Sequence, residues 1–199
     1  MESNENIERR RYTPGVAADD PLYDLLDEEA AATRRAARVR ERWLRRAAEE
    51  SATFAGTLLD LAEAGAAVTI HLQGGQRRGG RVVGLGADFV ALRAVYGAGG
   101  EDRWIRLAAI TRVRVEPGSA SVAAEGDRPA PTEVDLLGVL ADAAADASPV
   151  VLSVGDETLS GRIVAVGTDV ISIRSDDGPR SITYVSATSL CEVVVLRSG

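Results

Sequence analysis

GRVVGLGADFVALR, at residues 80–93, is repeated 81 residues later as GRIVAVGTDVISIR, at residues 161–174. Gly, Arg, Val, Gly, Asp and Arg recur at the same offsets, and the other positions largely keep their apolar character. Self-similarity of this kind is the mark of a duplicated structural unit. The sequence therefore predicts two copies of one small domain in a single chain.

Short segments with period-two apolar patterning surround both copies and predict β-strands. A helical stripe that ends near Gly65 precedes the first set, and a short helix at 134–144, with Thr132 as its cap, precedes the second. Five short strands after each helix favour a small closed antiparallel barrel, because closure removes exposed edges. The predicted strands are 68–72, 81–85, 89–95, 103–107 and 110–115, then 150–154, 159–166, 170–174, 180–185 and 190–196.

The predicted fold class is mainly β with helices, as two tandem small five-stranded barrels, each preceded by a short helix, and an N-terminal helical arm. Pro21 suits the first helical position after Asp19 or Asp20 as a cap. Residues 22–50 contain no Gly or Pro, and their acidic start and basic end match the helix dipole. The predicted segments are a disordered tail at 1–18, a charged helical arm at 19–50, a first barrel at 51–115, a flexible linker at 116–131 and a second barrel at 132–199.

The basic half of the arm leaves several interpretations open. Its arginines could follow a phosphate backbone, or with a tryptophan they could lie on an anionic membrane surface. Alternatively, the apolar stripe that contains Val39 packs on a barrel or on a second copy of the chain. The candidate interaction residues of the arm are Arg35, Arg38, Arg42, Trp43 and Arg46.

The composition limits the chemistry. The chain has no Lys, so a P-loop cannot be completed, and the Arg and Ala bias is typical of a high-GC bacterial genome. A single His71 and a single Cys191 cannot build a zinc site from this chain alone. We expect no cofactor, no metal and no enzymatic activity. No long apolar segment predicts stable membrane insertion, and one cysteine fits a cytoplasmic location.

The charge is distributed unevenly over the segments. The whole chain has a formal net charge of −7, which argues against coating nucleic acid by bulk attraction. Residues 51–118 nevertheless hold eight Arg against six acids, while residues 119–199 hold five against twelve. In the first segment, Arg77, Arg78 and Arg81 lie in a Gly-rich turn, where guanidinium groups could contact phosphates or simply be solvated. An anion site is therefore expected on the first domain or the arm.

Four motifs of the first repeat are the alternating strand and Gly turn at 68–75, Gly-Arg-Val-Val at 80–83, Gly-x-Asp-Phe-Val-x-Leu at 86–92 and Ile-x-Leu-x-x-Ile at 105–110. Through this pattern each repeat resembles an Sm-like (LSm, Hfq-type) domain, and other small barrels of SH3-like type share much of it. It implies RNA binding on oligomeric rings. Arg106 lies near the Arg of the family's Arg-Gly motif, with Leu107 in place of the Gly.

Two functions follow as expectations. The first is a non-enzymatic Sm-like module that associates with RNA or a ribonucleoprotein through Arg77, Arg78, Arg81 and Arg106. The second is a protein–protein scaffold or assembly factor that uses the arm and the acidic second barrel, since few aromatics are available for base stacking. Self-association is expected with either.

Overall fold

The computed structural model describes residues 21–94, 102–119, 128, 131–176 and 181–196, without the side chains of residues 21–25 and 27. The chain divides into two compact units, Met1–Leu44 and Arg45–Gly199. The predicted tail at 1–18 and the caps Asp19 and Asp20 lie outside the described residues. The fold is mainly β, with ten antiparallel strands and three α-helices in the described part of the chain.

The arm is a single helix, α1 (Pro21–Ser51), as its uninterrupted helical sequence predicted. Proline begins it because the missing N–H has no partner at that position. Four large apolar side chains of the arm, Leu26, Val39, Trp43 and Leu44, are more than half exposed. A helix normally buries its apolar stripe, whereas these side chains of α1 are exposed.

Each repeat has one short helix followed by five strands, as predicted. In repeat 1 these are α2 (Phe54–Glu63), β1 (Ala67–Leu72), β2 (Arg77–Leu85), β3 (Phe89–Arg93), β4 (Asp102–Arg106) and β5 (Ile110–Val115). In repeat 2 they are α3 (Leu136–Ala145), β6 (Pro149–Val154), β7 (Glu157–Val166), β8 (Val170–Ser175), β9 (Ile182–Ser186) and β10 (Leu190–Val195).

The strands form one open sheet rather than two closed barrels. Its order is β5-β1-β2-β3-β4-β10-β6-β7-β8-β9, so each repeat contributes five adjacent strands in the same order. The predicted closure of each repeat on itself is wrong because β4 pairs with β10 of the other repeat. This pairing covers two edges that closure would have covered, and β5 and β9 are left as the edges of the sheet.

The short helix of repeat 2 is capped by a different residue from the one predicted. Thr53 accepts a hydrogen bond from Gly56 N at the start of α2, and Asp135 does the same for Gly138 N at the start of α3. Thr132, the predicted cap, instead accepts from Val134 N outside the helix. Asp135 is favoured because an aspartate cap also complements the helix dipole.

Two hydrophobic clusters hold the sheet, one in each repeat. Leu58, Ile70 and Leu92 are fully buried in repeat 1, and Leu140 and Leu152 are fully buried in repeat 2. Both helices contribute to these clusters, which accounts for the short helix that precedes each set of strands.

The glycine that opens the repeated segment is required by a close approach of two strands. A Cβ on Gly80 would lie 2.5 Å from the carbonyl oxygen of Arg93, and one on Gly161 would lie 2.1 Å from that of Arg174. These oxygens belong to the backbone of β3 and β8, which cannot move without breaking strand pairing. The neighbouring Gly79 has nothing within 4 Å of its Cβ position.

We expect Gly80→Ala to lower the free energy of unfolding by about 1–3 kcal/mol, because the added methyl overpacks against backbone. Urea unfolding of the purified chain measures this change. Gly79→Ala is the matched control, and it should change stability by less than about 0.5 kcal/mol at a site with open space. Equal losses in the two variants would contradict the close-approach explanation.

Candidate functional site

The predicted site residue Arg78 holds the two repeats together. Its Nε donates to Glu192 at 2.7 Å, and Arg103 Nη1 donates to the other oxygen of the same carboxylate at 2.9 Å. Glu192 is 1% exposed and also accepts from Ser153 Oγ at 3.2 Å. Because Glu192 and Ser153 belong to repeat 2, this buried network is a polar seam between the repeats.

Two further predicted residues also make contacts within the fold. Arg81 Nη1 donates to the carbonyl oxygen of Gly65 at the end of α2. Arg106 forms an ion pair with Asp88 at 3.3 Å, and its Nε and Nη2 are buried without a hydrogen-bond partner in the structure. Asp88 also accepts from Leu136 N at 2.7 Å, so it links the β2–β3 turn of repeat 1 to the start of α3.

A different set of basic side chains lies together on one face of β1, β2 and β5. His71 pairs with Arg77 on one side and with Arg112 on the other. Thr69, two residues earlier and on the same face, pairs with Arg114. Directly paired residues of antiparallel strands share a face, so the four basic side chains line one surface. We call His71, Arg77, Arg112 and Arg114 the basic face.

The basic face surrounds a cavity of about 400 Å³. Arg77 and Arg112 are exposed and form no ion pair with the described residues, while Arg114 lies 3.2 Å from Glu116. Of the predicted nucleic-acid residues, the structure therefore places Arg77 at this cavity. Arg78, Arg81 and Arg106 have the other contacts described above.

His71 reports the electrostatic character of this surface. Burial lowers the pKa of its imidazole, and the positive charges of Arg112, Arg77 and Arg114 lower the pKa further. Arg112 Nη2 lies 3.4 Å from His71 Nδ1. In a neutral imidazole this nitrogen can accept a hydrogen bond from the guanidinium group. The ring is thus held neutral within a positive potential that an anion could offset.

We expect the chain to lose stability as the pH falls from about 7.5 to about 5.5, across the ordinary titration range of histidine. The pKa of His71 is lower in the folded state, so the unfolded state takes up the proton first and is favoured below the unfolded pKa. Urea unfolding at the two pH values measures the loss. His71→Gln should remove the contribution of His71 to this loss of stability. An unchanged pH dependence of stability in that variant would show that His71 is not its source.

A larger cavity of about 760 Å³ continues along the same strands. Thr69, Gly79 and Glu116 are among its lining residues. Thr69 donates to Glu116, and this bond, followed by that from Arg114, lowers the pKa of the Glu116 carboxyl. The ionised Glu116 therefore marks the end of the positive surface.

The candidate residues of the arm are exposed on α1. Arg42 Nε donates to the carbonyl oxygen of Arg38 at 3.3 Å, and Arg46 pairs with Glu50 at 2.8 Å. Trp43 is 68% exposed, and Arg35 is exposed on the preceding turns. These contacts all lie within the helix, as is common for solvated helical residues.

In the described part of the chain, no group of three or more His, Cys, Asp or Glu side chains could hold a metal ion. None of the described helices combines the length and apolar character needed to cross a bilayer. Comparison with known proteins found no family model that matches the sequence and no curated protein similar to it.

Proposed function

We propose that the chain is a non-enzymatic, Sm-like binding protein that holds single-stranded RNA, alone or in a ribonucleoprotein, on the basic face of repeat 1. The observation that carries the proposal is the cluster of Arg77, Arg112 and Arg114 around a neutral His71. Two of these arginines have no carboxylate partner among the described residues. Guanidinium groups suit phosphate oxygens, which accept two parallel hydrogen bonds.

The geometry favours contact with the phosphate backbone. The basic face contains no Phe, Tyr or Trp side chain on which a base could stack, and its one aromatic ring, that of His71, is buried. Backbone contacts position a nucleic acid without specifying its sequence. The resemblance of the repeats to Sm-like domains favours RNA over other polyanions, and binding should tolerate many sequences and weaken with salt.

The proposal is tested by fluorescence anisotropy with a labelled single-stranded RNA at several salt concentrations. We expect Arg77→Ala/Arg112→Ala to weaken binding by roughly a hundredfold or more, because each of the two lost charged hydrogen bonds is worth about 1.5–3 kcal/mol. The dependence of affinity on salt should also become shallower, since fewer phosphates are neutralised.

The matched control is Arg162→Ala/Arg174→Ala, which removes an exposed cross-strand arginine pair from repeat 2. It changes the net charge by the same amount but lies away from the basic face. We expect this variant to bind RNA almost as the wild type does. An equal loss of RNA affinity in both variants would show that only the net charge matters. If neither variant loses affinity, the proposed site is wrong.

A second candidate function is a protein scaffold that uses the arm. It is favoured by the exposure of Val39, Trp43 and Leu44, which form an apolar patch on a charged helix. We expect Val39→Ser/Trp43→Ser to lose specific co-purifying proteins, while Arg40→Ser, an exposed position on the same helix, keeps them. An unchanged set of proteins with the double variant would contradict this function.

A further inference from the structure

The helical arm is a long helix whose large apolar residues are exposed. α1 runs for 31 residues from Pro21 to Ser51. Most helices in proteins are stabilised by packing of an apolar face rather than by intrinsic propensity. Leu26, Val39, Trp43 and Leu44 are instead between 53% and 68% exposed. A surface that covers these side chains would therefore stabilise the arm.

The apolar residues in the middle of the arm are spaced for contact with another helix. Ala32, Ala36, Val39 and Trp43 follow one another at intervals of four, three and four residues. This alternation places them along the line on which one helix packs against a second one. Both alanines are exposed, and their small side chains allow two helix axes to approach closely. Trp43 adds a large apolar contact of the kind that dominates many interfaces.

The two halves of the arm have opposite charges. Residues 21–29 hold four acids and no Arg, whereas residues 34–46 hold seven Arg and one acid. Ala32 and Ala36 lie close to the boundary between the two halves. In a parallel pair of arms each half would meet a half of the same charge, which is unfavourable. In an antiparallel pair each acidic half meets a basic half, and this favourable contact occurs twice.

This charge distribution favours a second arm over a uniformly anionic surface. An anionic membrane or a nucleic acid would attract the basic half of α1 and repel the acidic half. A second arm in the antiparallel orientation attracts both halves. Glu28 and Glu29 are exposed on the acidic half, and Arg38 and Arg42 are exposed on the basic half, so these four residues are accessible to a partner.

We propose that two copies of this chain pair through their arms as antiparallel helices, about a two-fold axis between Ala32 and Ala36. Ala32 of each copy lies against Ala36 of the other, and Trp43 lies over the first turns of the partner helix, near Leu26. The same surface is used by both copies, so assembly stops at two chains. This pairing rests on the second candidate function, since it names the partner of the arm, and it is independent of RNA binding.

The test reverses charges on either half of the arm in the full-length chain and measures mass by sedimentation equilibrium. We expect the wild type to dimerise as its concentration rises, and less so at high salt. Glu28→Arg/Glu29→Arg and Arg38→Glu/Arg42→Glu should each dimerise roughly tenfold more weakly or worse, because like charges then face each other at both ends of the contact.

An equimolar mixture of these two variants should recover dimerisation, because each reversed pair then faces its complement on the other chain. A chain with all four substitutions should also recover it, since only the antiparallel order places the two reversed pairs together. Recovery also shows that the variants are folded. The matched control is Arg162→Glu/Arg174→Glu in repeat 2, which changes the net charge as Arg38→Glu/Arg42→Glu does and should dimerise like the wild type.

Three results would overturn the paired arms: a wild-type chain that stays monomeric at its highest soluble concentration, a mixture that associates no better than its components, or a monomeric wild type that binds vesicles of anionic phospholipid. Arg77→Ala/Arg112→Ala should dimerise like the wild type, so loss of RNA binding is a separate outcome. If the wild type is monomeric and Val39→Ser/Trp43→Ser still loses other co-purifying proteins, self-pairing is wrong and the scaffold function stands.

Discussion

Replacing Glu192 by alanine should lower the free energy of unfolding by about 3–5 kcal/mol, the cost of breaking a buried ion pair by removing one partner. The carboxylate is 1% exposed and receives hydrogen bonds from Arg78 and Arg103. Without it, two guanidinium groups remain at the seam with no carboxylate between them. Urea unfolding monitored by the two tryptophans of the chain measures the loss.

The matched control is Glu50→Ala, which removes the carboxylate of the exposed Arg46–Glu50 pair at the end of α1. An exposed helical pair is worth less than about 1 kcal/mol, so this variant should be nearly as stable as the wild type. Glu192→Ala/Arg78→Ala/Arg103→Ala should recover part of the loss, because no uncompensated charge is then left. A cost below about 1 kcal/mol for Glu192→Ala would contradict a stabilising role for the polar seam.

Asp88→Ala should cost about 2–3 kcal/mol, because it removes a charged hydrogen bond to Leu136 N and the ion-pair partner of Arg106. Both contacts are lost at once, and the Arg106 guanidinium already has two buried nitrogens without partners. The loss should appear in urea unfolding as a lower midpoint with little change in slope.

Asp169→Ala is the control for Asp88→Ala, because Asp169 occupies the same position of the repeated segment in repeat 2. Its side chain is exposed, and no hydrogen bond to it is present among the described residues. We expect this variant to lose less than about 0.5 kcal/mol when measured at low protein concentration. Equal costs for the two substitutions would mean that Asp88 acts only within its own turn.

The strands and the duplication could be predicted from local pattern alone. The alternation of apolar residues within each strand and the similarity of 80–93 to 161–174 can be recognised without knowing which strands pair. The ten predicted strands are all present. Pairing of β4 with β10 could not be predicted in this way. It joins strands about 90 residues apart, and neither strand differs in pattern from one that closes its own barrel.

The candidate site was predicted only in part for the same reason. The Gly-rich turn predicts a common role for Arg77 and Arg78, although period two places neighbours in a strand on opposite faces. Arg77 therefore faces the cavity of the basic face, and Arg78 faces the polar seam. Alternation within β5 also places Arg112 and Arg114 on one face, but their proximity to Arg77 depends on which strands pair. The one sequence feature that could have indicated the polar seam is the acidic residue Glu192 within the otherwise apolar strand β10.

The most direct test of RNA binding on the basic face is an NMR pH titration of His71, the only histidine in the chain. Its ring signals are measured with and without saturating single-stranded RNA. Burial lowers the pKa of His71, and the charges of Arg112, Arg77 and Arg114 lower it further. We expect RNA to raise this pKa, because bound phosphates offset the contribution of the three arginines. The same pKa with and without bound RNA would contradict a site on this face.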